Sequence, residues 1–128
     1  MSNIPADLKY TKSHEWVRTL ADGNVEVGIT DHAQGALGDL VFVDVPEAGK
    51  TLKAGDAFAV VESVKAASDV YTPIAGSVIE GNAALGSTPE LINSEPYGGG
   101  WIARMKPNGA PNGLLSAAEY QAHLAAEG

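Results

Sequence analysis

The chain has 128 residues, 45% of them apolar, and eight Lys+Arg against sixteen Asp+Glu give it a formal charge of −8. That length and apolar share suit one globular unit, read as residues 1–128, and no stretch approaches the roughly 20 apolar residues of a membrane-spanning helix. An acidic surface repels phosphate backbones, which argues against nucleic acid. The absence of cysteine removes disulfides, thiolate metal sites and any protein thiol as a redox centre. If the protein carries electrons or an acyl-like group on sulfur, that sulfur must be attached from outside.

Met1 to Asp7 has neither the basic and apolar regions of a secretory signal nor the Arg-rich, acid-poor character of a transit peptide. A cytoplasmic protein, or a mature form that has lost its presequence, is expected. Glu15 to Leu20 and Val25 to Thr30 flank Ala21-Asp22-Gly23-Asn24, whose Asp-Gly pair supplies the positive φ of a hairpin turn. Asp31 to Gln34 starts a short helix with Thr30 or Asp31 as N-cap, ending near Gly35 or Gly38. Leu40 to Val45 is β-branched and stopped by Pro46, and Pro46 to Gly55 is a turn-rich connection. Asp56 to Val64 follows as a strand. Its run Ala57 to Val61 does not alternate, which predicts cover on both faces.

Lys65-Ala66-Ala67 interrupts the extended pattern, which resumes at Ser68 to Pro73 and Ile74 to Glu80 with a bend at Gly76. Pro89 to Asn93 predicts a turn or two of helix, Pro96 to Gly100 a loop, and Trp101 to Met105 a strand. Ser116 to Ala126 is the clearest helix. Ser116 and Glu119 form a capping box, Gly128 ends the helix, and Leu115, Ala118, Tyr120 or Ala122, and Leu124 supply an inward face. Many short strands with few helices predict a mainly β barrel or sandwich.

Lys65 stands where a turn usually holds Gly, Asn, Asp or Pro. Its neighbours Ser63, Ala66, Ala67 and Ser68 are small and leave room for an enzyme to reach the amine. Gly55 and Gly76 lie on either side of the two strands and would mark the base of the hairpin. On pattern alone, an ordinary solvated loop lysine fits equally well. His14-Glu15 lacks the spacing of a zinc helix, since the residue four after His14 is Arg18. Gly98-Gly99-Gly100 lacks the Lys-Ser or Lys-Thr of a phosphate loop. No metal site is expected.

Glu62-Ser63-Val64-Lys65-Ala66-Ala67-Ser68-Asp69-Val70-Tyr71 resembles the lipoylation segment of the glycine cleavage H-protein family. Ser13 to Val17, Val27 to Gln34, Leu37 to Val43, Pro73 with Gly76, Glu90 to Asn93, and Pro96-Tyr97-Gly98 with Gly100-Trp101 resemble further family segments, in order along nearly the whole chain. Biotinyl domains usually flank the lysine with methionines, where this chain has Val64 and Ala66. Lipoyl domains of 2-oxo acid dehydrogenases lack the N-terminal block and the C-terminal helix. Ser77, where the family usually has an acidic residue, and the Gly81-to-Leu85 stretch depart from the pattern.

The resemblance implies a barrel-sandwich hybrid of the lipoyl/biotinyl carrier type with small peripheral helices. Its hybrid core would span roughly residues 25–107, with a C-terminal helix over roughly 116–126. It implies a non-catalytic carrier with lipoate attached covalently to Lys65, recognised through Glu62, Ser63, Val64 and Ala66. A pyridoxal-phosphate glycine decarboxylase (P protein) would load the aminomethyl group, and a tetrahydrofolate-dependent aminomethyltransferase (T protein) would take it. A dihydrolipoamide dehydrogenase (L protein) would reoxidise the dithiol, and a lipoate ligase or lipoyl/octanoyl transferase would install the arm. Glu15 and His32, ordinary polar residues by composition, would line a cleft that shelters the loaded arm. A lipoyl or octanoyl relay to other carriers, or an unmodified interaction module with the same fold, stays open as an alternative.

Overall fold

The computed structural model describes residues 4–108 and 114–127. In chain order the elements are β1 (Lys9–Tyr10), β2 (Glu15–Thr19), β3 (Val25–Ile29), α1 (Asp31–Leu37), β4 (Leu40–Asp44), β5 (Thr51–Leu52), β6 (Ala57–Ser63), β7 (Ala67–Tyr71), β8 (Gly76–Gly81), α2 (Ala84–Ser87), α3 (Leu91–Ser94), β9 (Ala103–Pro107) and α4 (Ala117–Glu127). The strands form a six-stranded sheet, β1-β2-β3-β9-β8-β5, and a three-stranded sheet, β4-β6-β7. All the pairings are antiparallel. The expected mainly β architecture with small helices and a C-terminal helix is present. The short strands β1 and β5 and the helix α2 lie in stretches that carry no strong periodic signal.

The two sheets share one apolar core. Val17, Val27 and Ile29 of β2 and β3, with Val78 and Met105 of β8 and β9, meet Val43, Val61 and Val70 of the smaller sheet. Each side chain of this size contributes about 1.5–3 kcal/mol when fully buried. On the six-stranded sheet Glu26 is only 7% exposed, and Arg18 at 3.1 Å and Arg104 at 2.9 Å neutralise it.

The non-alternating run in β6 has a different cause from the one its sequence suggests. A register shift between Ala57 and Ala59 turns both Phe58 and Ala59 inward. From Ala59 on, burial alternates: Ala59, Val61 and Ser63 are buried while Val60 and Glu62 are half-buried. The strand is covered on one face, and a bulge accounts for the unbroken apolar run.

The glycine pair splits in the same way. Gly55 has φ +91°, and its N–H donates to the Thr72 carbonyl at the open end of the β6–β7 hairpin. Gly76 instead lies in the other sheet, paired with Leu52 and Pro107, where a Cβ would stand 2.3 Å from the Lys106 carbonyl oxygen.

Helix α4 begins with the expected capping box: Ser116 N–H donates to Glu119 Oε1 at 2.9 Å, and Glu119 N–H donates to Ser116 Oγ at 3.2 Å. Its inward face is Ala117, Tyr120 and Leu124, with Leu115 just before it, packed on a second cluster of Leu8, Tyr10 and Trp16. Ala118 and Ala122 are exposed, so Ala117 takes the inward place expected of Ala118. Gly128 lies outside the described residues.

Candidate functional site

Lys65 is exposed at the outer end of the β6–β7 hairpin. The last strand pair is Glu62 with Ala67, and the Ser63 N–H donates to the Ala66 carbonyl at 2.7 Å, leaving Val64 and Lys65 at the tip. Hairpin tips of this length usually need positive φ and hence Gly or Asn, but among the described residues His14 is the only non-glycine with positive φ. Ser63 supplies what the tip residues do not. Its Oγ accepts from the N–H groups of Lys65 at 3.3 Å and Ala66 at 3.1 Å, and it reaches the Ala66 carbonyl at 3.2 Å. A serine-closed turn of this kind tolerates a valine and a lysine at its tip. Ser63 is therefore a buried brace, not a small exposed neighbour. Val64 is 76% exposed, Ala66 and Ala67 are exposed, and Glu62 is half-buried.

The tip rests on the end of α1. Thr30 caps this helix, its Oγ1 accepting from the Ala33 N–H at 3.2 Å, and Gly38 ends it with φ +86°. Lys65 lays its stem on that glycine, so that a Cβ there would meet Lys65 Cε at 3.4 Å. The Val64 N–H approaches the next carbonyl, Asp39 O, at 3.4 Å. From α3, Asn93 holds this ledge: its Oδ1 accepts from Leu40 N–H, and its Nδ2 donates to Gly38 O and to Gln34 Oε1, each at 2.9 Å.

A cleft of about 220 Å³ lies beside the ledge. His32, Ala33, Ala36 and Leu37 of α1 form one wall, Ser68, Asp69 and Val70 of β7 another, and Ser13, His14 and Glu15 an end. Glu15 and His32, remote in sequence, are brought together here. Glu15 is 2% exposed, and its Oε1 accepts from Ser13 Oγ at 2.6 Å and Thr11 Oγ1 at 2.7 Å. Burial pushes its carboxyl above the usual range, and the Ser13, Thr11 and Tyr71 hydrogen bonds hold it down in part. Sequence reasoning missed His14 and Asp69 as cleft residues. Strand alternation sets Ser68 and Val70 on the cleft side and gives no signal for Asp69, and only the fold brings the Thr11-to-Glu15 turn against α1. Among the described residues no cluster of His, Asp and Glu could hold a metal ion, and no helix is long and apolar enough to cross a membrane.

Comparison with known proteins agrees with this geometry. The family described as glycine cleavage H-protein matches residues 8–127. The chain is 61% identical to the glycine cleavage system H protein of Halorhodospira halophila over all of both chains. It is 59% identical to that of a Psychrobacter species, covering 97% of this chain and 100% of the other. Among solved structures, a glycine cleavage system H protein from Mycobacterium marinum superposes with a TM-score of 0.88 at 44% identity, over 95% of this chain and 99% of that one. The barrel-sandwich architecture is thus that of a carrier fold. The chain belongs to the glycine cleavage H-protein family and serves that system as a carrier component.

Proposed function

We propose that Lys65 is the covalent attachment point of a lipoyl group and that the cleft between α1 and β7 shelters the loaded arm. What supports this is a juxtaposition: the helix whose last glycine carries the stem of Lys65 also walls a cleft holding a buried carboxylate. A lipoyl group, once attached, supplies the sulfur that this cysteine-free chain lacks, and with it the redox and group-carrying chemistry. The chain's own residues do the rest. Glu15, aided by Asp69, favours the ammonium end of an aminomethyl cargo by charge. Ile29, Ala33, Leu37 and Val61 exclude water that would hydrolyse it, and His32 borders the same space.

On this reading residues 1–128 act as one carrier domain. It takes the aminomethyl group of glycine from the P protein to the T protein and is restored by the L protein. Glu62, Val64 and Ala66 offer contacts to the enzyme that attaches the arm, while Ser63 acts through the turn. Peptide mass spectrometry after incubation with lipoate ligase and lipoate tests the attachment. The expected result is modification of Lys65 alone, abolished in Lys65→Arg. Modification of another lysine would overturn it.

A further inference from the structure

The cleft wall contains a backbone outlier with no part in holding the carboxylate. His14 has φ +72°, a conformation that histidine tolerates better than most residues but that the surroundings must enforce. Its main chain is tied on both sides, the N–H donating to Thr11 O at 3.1 Å and the carbonyl accepting from Thr30 N–H at 3.0 Å. Its ring is tied separately. The hydroxyl of Tyr120, from α4, lies 2.8 Å from His14 Nδ1 and 2.7 Å from Thr30 Oγ1.

One direction of this chain of bonds gives the buried Thr30 hydroxyl both an acceptor and a donor partner. The Thr30 hydroxyl is fully buried and already accepts from the Ala33 N–H as the cap of α1. With the Thr30 proton directed to Tyr120, the Tyr120 proton is directed to His14 Nδ1, an arrangement that corresponds to the imidazole tautomer with its hydrogen on Nε2. The His14 ring stands 4.8 Å from that of His32, tilted by 40°. Apolar packing alone does not require the hydroxyl. The Tyr120 ring stacks on Tyr10 at 4.8 Å and 6°, a place that phenylalanine would fill as well.

We propose that Tyr120 is a positioning residue for the cleft: by donating to His14 Nδ1 it fixes the tautomer and orientation of a ring beside Glu15, and the C-terminal helix thereby sets the wall against which the arm is sheltered. The proposal rests on the sheltering role above.

Two measurements on the full chain test it. In long-range proton–nitrogen spectra of the imidazoles, His14 is expected as the Nε2–H tautomer, shifting to a mixture in Tyr120→Phe. In the lipoylated protein loaded with glycine by the decarboxylating partner, Tyr120→Phe should shorten the half-life for ammonia release about fivefold, the scale of one buried hydrogen bond. His14→Asn, which also tolerates positive φ, should do the same, and the double variant should be no worse than either alone. An unchanged tautomer, an unchanged half-life or multiplicative losses would each overturn the proposal. If Tyr120→Phe does not fold, a normal half-life in His14→Asn does so. Glu15→Gln separates the two readings. A short half-life there with normal Tyr120→Phe and His14→Asn leaves the shelter standing and removes Tyr120 from it, whereas normal half-lives in all three remove both.

Discussion

Gly38 lies against the stem of Lys65: a methyl on its Cα would stand 3.4 Å from Lys65 Cε and 3.8 Å from Nζ. Its φ of +86° with ψ of −162° falls in a region essentially confined to glycine. The requirement for glycine here is therefore one of backbone conformation, since a methyl at those distances would only touch the lysine stem in ordinary van der Waals contact. Gly38→Ala is expected to lower stability by about 1–3 kcal/mol and to slow attachment of the arm, because relief of the strained backbone would shift the ledge under the Lys65 stem. Thermal melts and a ligase time course check the two effects separately. Rapid, unimpaired modification of a destabilised Gly38→Ala would show that the ledge does not aim Lys65.

Asn93 holds that ledge from a different element. Asn93→Ala removes hydrogen bonds to Leu40 N–H, Gly38 O and Gln34 Oε1, which should cost about 2–3 kcal/mol given the partners left unpaired. Asn93→Asp keeps the acceptor for Leu40 but sets a carboxylate against the Gly38 carbonyl, so it should be no better tolerated. Urea denaturation with both variants decides this, and equal stability to the parent chain in either would contradict the bonding described.

Glu15 makes a pH-dependent contribution whose sign follows from its burial. Because its folded-state carboxyl is raised above the ordinary value, the folded protein holds this proton more tightly than the unfolded chain. The associated stability is present below the unfolded value and is lost as pH rises through the raised one. Glu15→Gln cannot ionise. Its melting temperature should gain on that of the parent chain as pH rises from the acid side of that window towards neutrality, even as its loaded arm hydrolyses faster. Parallel melting profiles for the two proteins across the window would refute the linkage.

Gly55 and Gly76 should respond differently to alanine. At Gly55 the cost is conformational, since nothing lies near the added methyl, and about 1 kcal/mol is expected. At Gly76 the methyl would meet the Lys106 carbonyl at 2.3 Å within the β8–β9 pairing, for about 3 kcal/mol. Denaturation midpoints give the order, and an equal loss at both positions would contradict the close approach.

Much of this fold is local and was legible as such. The Asp22-Gly23 turn, the Thr30 cap and the Ser116–Glu119 box each depend on residues within a few positions of one another, so the chain specifies them before it packs. The prominence of Lys65 is local as well, because a lysine at a hairpin tip needs only its flanking strands to be exposed. Its closure by Ser63 is equally local, yet the small size of that residue suggested open space when its hydroxyl is the brace. The bulge in β6 escaped because an unbroken apolar run has the same sequence whether a strand is covered on two faces or kinked on one.

The amino-acid sequence by itself determined the alternation of short strands and turns, the helix caps, the presented lysine and the lack of any protein thiol. Only the tertiary structure decided that the Thr11-to-Glu15 turn, α1 and β7 enclose one cleft, that Glu15 is buried there, and that Tyr120 reaches His14 across 106 positions. Contacts of that kind depend on how two sheets and a terminal helix close around a shared core, and a shift of one residue in register would dissolve them while leaving every local signal intact.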